Sequence, residues 1–302
     1  MWQEYLYPET VDEALRLLAE RRGQGRVIAG GTDLVLQLQR GERRAASLID
    51  VSRIAALRGI SESGGFVTLG AAVTHAQVAS SPLIRAVAPV LAEAAAEVGS
   101  PEIRNVATLG GNVVNAQPAA DTALALLALD AEAEVVDREG ARWLPLPDLY
   151  KGAGHSAVDS AAQIVRAFRF SPSAPLRAGA PGGRSGSAYR RLGKCKSIAL
   201  PVLCAAAVVR LEGERIAAAA ISLGPVAPRP FRARAAEAAL VGQPATAEVV
   251  AQAAALAQEE AQPRDSLLRC DRVYRKDMVA VLVQSTLERA LASARRPAEV
   301  AS

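Results

Sequence analysis

Two glycine-containing segments of the 302-residue chain have the residue types and spacing to hold an anion. In the first, VIAGGTDL, the apolar run Val27, Ile28 and Ala29 meets Gly30 and Gly31, and Thr32, Asp33 and Leu34 begin a helical stretch. Adjacent glycines let the backbone approach a ligand closely, so that several N–H groups can converge on a phosphate, and Thr32 adds a hydroxyl donor. By itself the fragment also fits a plain strand-to-helix turn, with Thr32 or Asp33 as N-cap. In the second, RNVATLGGNVVNAQPAAD, Thr108, Leu109, Gly110, Gly111 and Asn112 surround another glycine pair, and Asp121 follows as an acceptor for sugar hydroxyls. The plain alternative here is a buried structural loop. Together the two segments make two anion-sized cradles, as a diphosphate with a sugar on either side requires.

Other chemistry is poorly provided for. GAGHSA at 152–157 matches the dinucleotide pattern G-x-G-x-x-A but lacks a preceding strand and a following crossover helix. There is no Walker A sequence and no G-x-S-x-G. The 3 cysteines, Cys195, Cys204 and Cys270, lack CxxC spacing, and the 2 histidines, His75 and His155, are far apart, so no zinc or iron–sulfur site is expected. His75 follows Thr74 at a helix start and reads as a capping-region surface residue. Cys195, between Lys194 and Lys196, is the thiol whose pKa the neighbours would lower.

These residues need a scaffold, and the composition supplies one: 50% hydrophobic and 22% charged residues are ordinary globular usage. A net charge of +4 and 4% aromatics point to no nucleic-acid partner. The longest apolar run, 198–209, contains Pro201 and is too short to span a bilayer, so no membrane span is expected. MWQEYLYPET lacks a basic and an apolar region of secretory type, and the chain reads as cytoplasmic. Helices are predicted at 11–20, after Thr10 as N-cap, at 34–38, over 82–98 and over 119–129; strands at 26–29, 47–51, 66–70, 132–136, 142–144 and 163–170. Residues 100–117 read as irregular loop. This makes 1–170 an α/β domain, 171–187 a Pro/Gly/Ser-rich linker or mobile loop, and 188–302 an α+β domain with an antiparallel meander and helices at 233–240, 247–261 and 274–291. The fold class is α+β overall.

AGGTDL followed about eighty residues later by RNVATLGGNVVNAQPAADTALALLALDAEAEV resembles the FAD-binding medium subunit of the molybdenum hydroxylases, the xanthine dehydrogenase and carbon monoxide dehydrogenase family. ISLGPVAPRPFRARAAEAALVG and VYRKDMVAVL resemble its C-terminal domain. The resemblance implies a two-part FAD-binding domain, with 27–34 and 108–112 around the diphosphate of a noncovalent FAD and Asp121 on a sugar or ribityl hydroxyl. It places Val165 and Arg190 near the isoalloxazine, although the family often has Lys where this chain has Arg190. It further implies a large molybdopterin-binding partner and a small partner with two two-iron two-sulfur clusters, assembled as a dimer of heterotrimers, with electrons passed to NAD or another acceptor. No catalytic acid or base is named. One branch has a cysteine-rich insert for an additional cluster, for which this chain has too few cysteines. AGGTD in place of AGGHS leans toward the purine or N-heterocycle branch. The alternatives are a stand-alone FAD-dependent oxidoreductase of the same fold and an assembly subunit that binds no flavin.

Overall fold

The computed structural model describes residues 2–172, 184–194, 200–267 and 269–296. The N-terminal half has two lobes. The first contains β1 (Glu4–Leu6), α1 (Val11–Glu20), β2 (Gly25–Ile28), α2 (Leu34–Gln39) and β3 (Ser47–Asp50). Its three strands form a parallel sheet in the order β1-β3-β2. Thr10 caps α1 by accepting the Glu13 N–H at 3.1 Å, and the stripe Val11, Ala14, Leu15 and Leu18 is buried.

The second lobe is a five-stranded antiparallel sheet ordered β4 (Ile60–Ser63), β5 (Phe66–Gly70), β10 (Ile164–Phe170), β6 (Glu132–Asp137), β7 (Gly140–Pro145). The helices α3 (His75–Ser80), α4 (Pro82–Val87), α5 (Pro89–Ala96), α6 (Pro101–Val106), α7 (Leu109–Val114) and α8 (Asp121–Ala128) lie between β5 and β6 in the chain. Two expectations are corrected here. The helix predicted over 82–98 is two, because Pro89 has no N–H to continue α4 and holds Ala88 at φ −146°, ψ 62°. The stretch expected to be irregular is largely α6 and α7: Ser100, followed by Pro101, caps α6, and Thr108 caps α7. The GAGHSA segment forms the small hairpin β8 (Tyr150–Gly152) and β9 (His155–Ser156), with no helix following it.

In the C-terminal half, β11 (Arg184–Leu192), β12 (Leu203–Glu212), β13 (Arg215–Gly224) and β14 (Phe231–Arg232) form an antiparallel sheet in chain order. The helices α9 (Arg234–Leu240), α10 (Ala247–Glu260) and α11 (Arg272–Arg295) follow. β11 starts inside the stretch read as a linker; residues 173–183 of that stretch, and Cys195, lie outside the described residues. Period-two alternation lets β12 serve two cores. Cys204, Ala206 and Val208 join the core of the N-terminal half, while Leu203, Ala205, Ala207 and Val209 join that of α9, α10 and α11. Small side chains permit close approach: a Cβ on Gly186 of β11 would stand 2.2 Å from the Ala290 carbonyl oxygen in α11. Among the described residues, no helix is long and apolar enough to cross a membrane.

Candidate cofactor cleft

A cleft runs between the two N-terminal lobes. It is lined by 27–34, by Ala71, Ala72 and His75 where β5 leads into α3, by Thr108, Gly110, Gly111 and Asn112, and by Ile164 and Val165 at the start of β10. Its empty space is about 1180 Å³, the open mouth included.

The first glycine segment follows β2, which pairs in parallel with β3. Gly30 abuts a backbone, since a Cβ there would stand 2.2 Å from the Val106 carbonyl oxygen, and Gly31 sits at φ +68°. Either position disfavours a side chain. Among the described residues, no backbone N–H from 30 to 34 has an acceptor within the chain. Asp33 occupies the N-cap position of α2 without making a side-chain cap bond. The plain capped-turn reading is therefore not what the structure contains: five consecutive amide donors are available beside the cleft. Burial holds the Asp33 carboxyl above its ordinary pKa.

The second segment is built differently. Leu109 donates its N–H to Val73 O at 2.9 Å and Gly110 to Ala71 O at 2.8 Å. Gly111 donates to Thr108 Oγ1 at 3.1 Å and Asn112 to Thr108 O at 3.0 Å. All four donors are engaged, so the expected second amide cradle is instead a capped helix start that walls the cleft. Gly110 touches Ala71, where a Cβ would stand 2.8 Å from both its Cβ and its oxygen. At Gly111 an added Cβ would meet only Thr108 Oγ1, at 3.1 Å, with nothing else within 4 Å. A side chain there would extend into the space that Gly111 lines. Gln37 Nε2 in α2 donates to Asn115 Oδ1 at the end of α7 at 3.4 Å and links the two helices that follow the glycine segments.

Of the residues singled out in the sequence, 27–34, Thr108, Gly110, Gly111, Asn112 and Val165 meet on this cleft. Leu109 is fully buried behind it. Asp121 and Arg190 do not line it. Asp121 opens α8 and faces the C-terminal sheet, where its Oδ1 accepts the Tyr189 hydroxyl at 2.5 Å and lies 3.6 Å from both Cys204 Sγ and Arg191 Nε. Burial raises the pKa of this carboxyl and pushes the Tyr189 hydroxyl and Cys204 thiol well above their ordinary values. Arg190 is exposed on β11, as alternation requires next to inward-facing Tyr189.

His75 is the lining residue that the sequence reading placed wrongly. It is 1% exposed, not a surface cap, and its Nδ1 has no hydrogen-bond partner among the described residues. Burial, reinforced by the charge of Arg104, pushes its pKa down to about 4. Thr74-His-Ala-Gln77 is legible as a capping box, and Thr74 and Gln77 do form one. Nothing in that motif reveals that the first residue of the helix faces a cleft.

The family described as FAD binding domain in molybdopterin dehydrogenase matches residues 2–171, and the CO dehydrogenase flavoprotein C-terminal domain matches 187–290. The chain belongs to this flavoprotein family. It is an oxidoreductase subunit of the xanthine dehydrogenase and carbon monoxide dehydrogenase class. The carbon monoxide dehydrogenase medium chain of Hydrogenophaga pseudoflava is 30% identical over 289 residues, covering 96% of this chain and 97% of the relative. The putative xanthine dehydrogenase FAD-binding subunit XdhB of Escherichia coli K12 is 29% identical over 286 residues, 94% of each chain. Among solved structures, carbon monoxide dehydrogenase from Hydrogenophaga pseudoflava superposes with a TM-score of 0.89 at 31% identity, covering 97% of this chain and 98% of that one. Quinoline 2-oxidoreductase from Pseudomonas putida 86 gives 0.87 at 26% identity, covering 97% and 98%.

One feature of the flavoprotein cleft fits FAD: the row of available amides at 30–34, to which a dinucleotide presents a diphosphate.

Proposed function

We propose that this chain binds one FAD noncovalently in the cleft, as the electron-transferring subunit of a molybdenum hydroxylase. The observation that carries the reading is the run of five backbone donors at 30–34, without acceptors among the described residues and set beside a cleft walled by a second glycine segment. These amides hold the diphosphate, since converging backbone N–H groups favour an anion at close range. Thr32 adds its hydroxyl. Gly111 and Asn112 form the facing wall, and Ile164 and Val165 provide apolar contact at the edge of β10. Asp121 and Arg190 are left out of this set, because neither lines the cleft.

The chemistry supplied by the cofactor is acceptance of electrons from two-iron two-sulfur clusters of a small partner subunit and their delivery to NAD or another acceptor. The chain's own part is to bind, orient and shield. A large molybdopterin-binding subunit completes the assembly and carries substrate oxidation. Relatives named medium chain and FAD-binding subunit support a role as one subunit among several. The test is to strip the full chain of flavin, add FAD, and follow uptake by quenching of flavin fluorescence. Uptake of one equivalent, released by acid precipitation, is expected; no uptake by folded chain refutes the reading.

A further inference from the structure

Among the described residues, His75 combines burial, a position on the cleft and the absence of a side-chain partner. It lines the cleft at 1% exposure. Among the described residues its ring makes no hydrogen bond, and Nδ1 is wholly sealed. Buried polar side chains nearly always have a partner, and one without it is costly to keep. The ring's backbone is firmly held. Its N–H donates to Ala107 O at 3.1 Å, and the preceding Thr74 is locked with Gln77 by reciprocal bonds of 2.9 and 3.3 Å.

Val106 and Ala107 form the surface on which Gly30 rests, within 2.8 Å of where a Cβ would stand. Ala107 thus touches His75 on one side and the start of the amide loop on the other.

We propose that His75 is an FAD-binding residue whose Nε2–H, the ring nitrogen that is neither sealed nor bonded, donates to an acceptor oxygen of the cofactor. This rests on the FAD reading of the cleft. With its pKa pushed down to about 4 by burial and Arg104, the ring is neutral under physiological conditions. It serves as a directional donor, not as a countercharge to the phosphates.

The test titrates FAD into flavin-stripped full-length wild type, His75→Phe and His75→Gln, with urea unfolding of each in parallel. Phe keeps an apolar ring of similar size; Gln keeps an N–H donor. Loss of a hydrogen bond to a buried ligand predicts a Kd raised about tenfold or more in His75→Phe, with partial recovery in His75→Gln and no loss of stability in the flavin-stripped His75→Phe chain. Equal Kd values for His75→Phe and wild type overturn the proposal. So does a loss of stability in His75→Phe that accounts for its weaker binding. Should His75→Phe fail to fold, nitrogen-15 resonances of the imidazole in wild type decide: a shift on adding FAD is expected, and unmoved resonances overturn the assignment. Failure of wild type itself to bind FAD refutes the cofactor reading, an outcome distinct from the failure of His75 alone.

Discussion

Gly111→Ala separates cofactor retention from folding. Gly111 lies in the first turn of α7, outside the positive-φ region, and an added Cβ would meet only Thr108 Oγ1, at 3.1 Å. Replacing glycine by alanine within a helix favours folding by roughly 0.5–1 kcal/mol, and the tight contact with Thr108 offsets part of that gain. The flavin-stripped variant is therefore expected to stay within about 1 kcal/mol of wild type by urea unfolding. The methyl group enters the space where the cofactor would touch the backbone, and overpacking of this kind costs about 1–3 kcal/mol. That corresponds to a Kd for FAD raised by roughly five- to 150-fold, measurable by fluorescence titration. Gly30→Ala is the contrasting case. Its methyl would stand 2.2 Å from the Val106 oxygen and 2.8 Å from the Ala107 Cα, so the fold itself is strained and stability is lost with or without flavin. Wild-type FAD affinity in Gly111→Ala would refute this division of the glycines, as would a loss of apoprotein stability equal to that of Gly30→Ala.

Thr108→Ala removes the cap of α7 and is expected to cost about 1 kcal/mol in the flavin-stripped chain, read as a lower urea midpoint. With a pKa of about 4 in the fold and 6.5 for the free side chain, His75 takes up its proton more readily in the unfolded chain. The stability gained from keeping it neutral is fully present above about pH 6.5 and is lost as pH falls toward 4, by up to about 1.4 kcal/mol per unit; urea midpoints of His75→Phe should fall less steeply over this window, and parallel profiles would contradict the burial of His75. Tyr189→Phe deprives buried Asp121 of its 2.5 Å donor and should destabilise the chain by about 1–3 kcal/mol, an effect that calorimetry would show and that Asp121→Asn should lessen. Arg232, 8% exposed, bonds Glu237 Oε1 at 2.5 Å and the carbonyl of Leu127 in α8 at 2.9 Å, so Arg232→Ala deprives Glu237 of its buried counter-ion and leaves it, as a cation among the described residues, only the exposed Arg234, 3.1 Å from its Oε2. A loss of about 3–5 kcal/mol is expected in urea unfolding, and a loss below 1 kcal/mol would show that the bridge is not needed.

The sequence displays local signals and conceals relative placement. Helix α1 was legible because one buried face imposes one period, and the meander β11 to β13 because its apolar runs are bounded by turn residues. The break at Pro89 was legible in principle, since a proline within an apolar run removes a backbone donor, but the alanine-rich pattern masked it. The caps at Ser100 and Thr108 were likewise visible as residue types, yet glycine pairs and amides around them suggested a loop. In the site, the segment 27–34 could be read as an anion cradle only together with the second glycine pair, since by itself it also fits a plain strand-to-helix turn. What could not be read was that the second segment engages all its amides internally, because the acceptors at Ala71 and Val73 lie far away in sequence. For the same reason Asp121 could not be seen to face Tyr189, nor His75 to face the cleft.

Binding stoichiometry of FAD on the full chain tests the central claim most directly. Titration of flavin-stripped protein, followed by acid precipitation and quantitation of flavin in the supernatant, is predicted to give one FAD per chain, all of it released. A folded chain that takes up no FAD, or one whose flavin stays with the precipitate, would contradict the account.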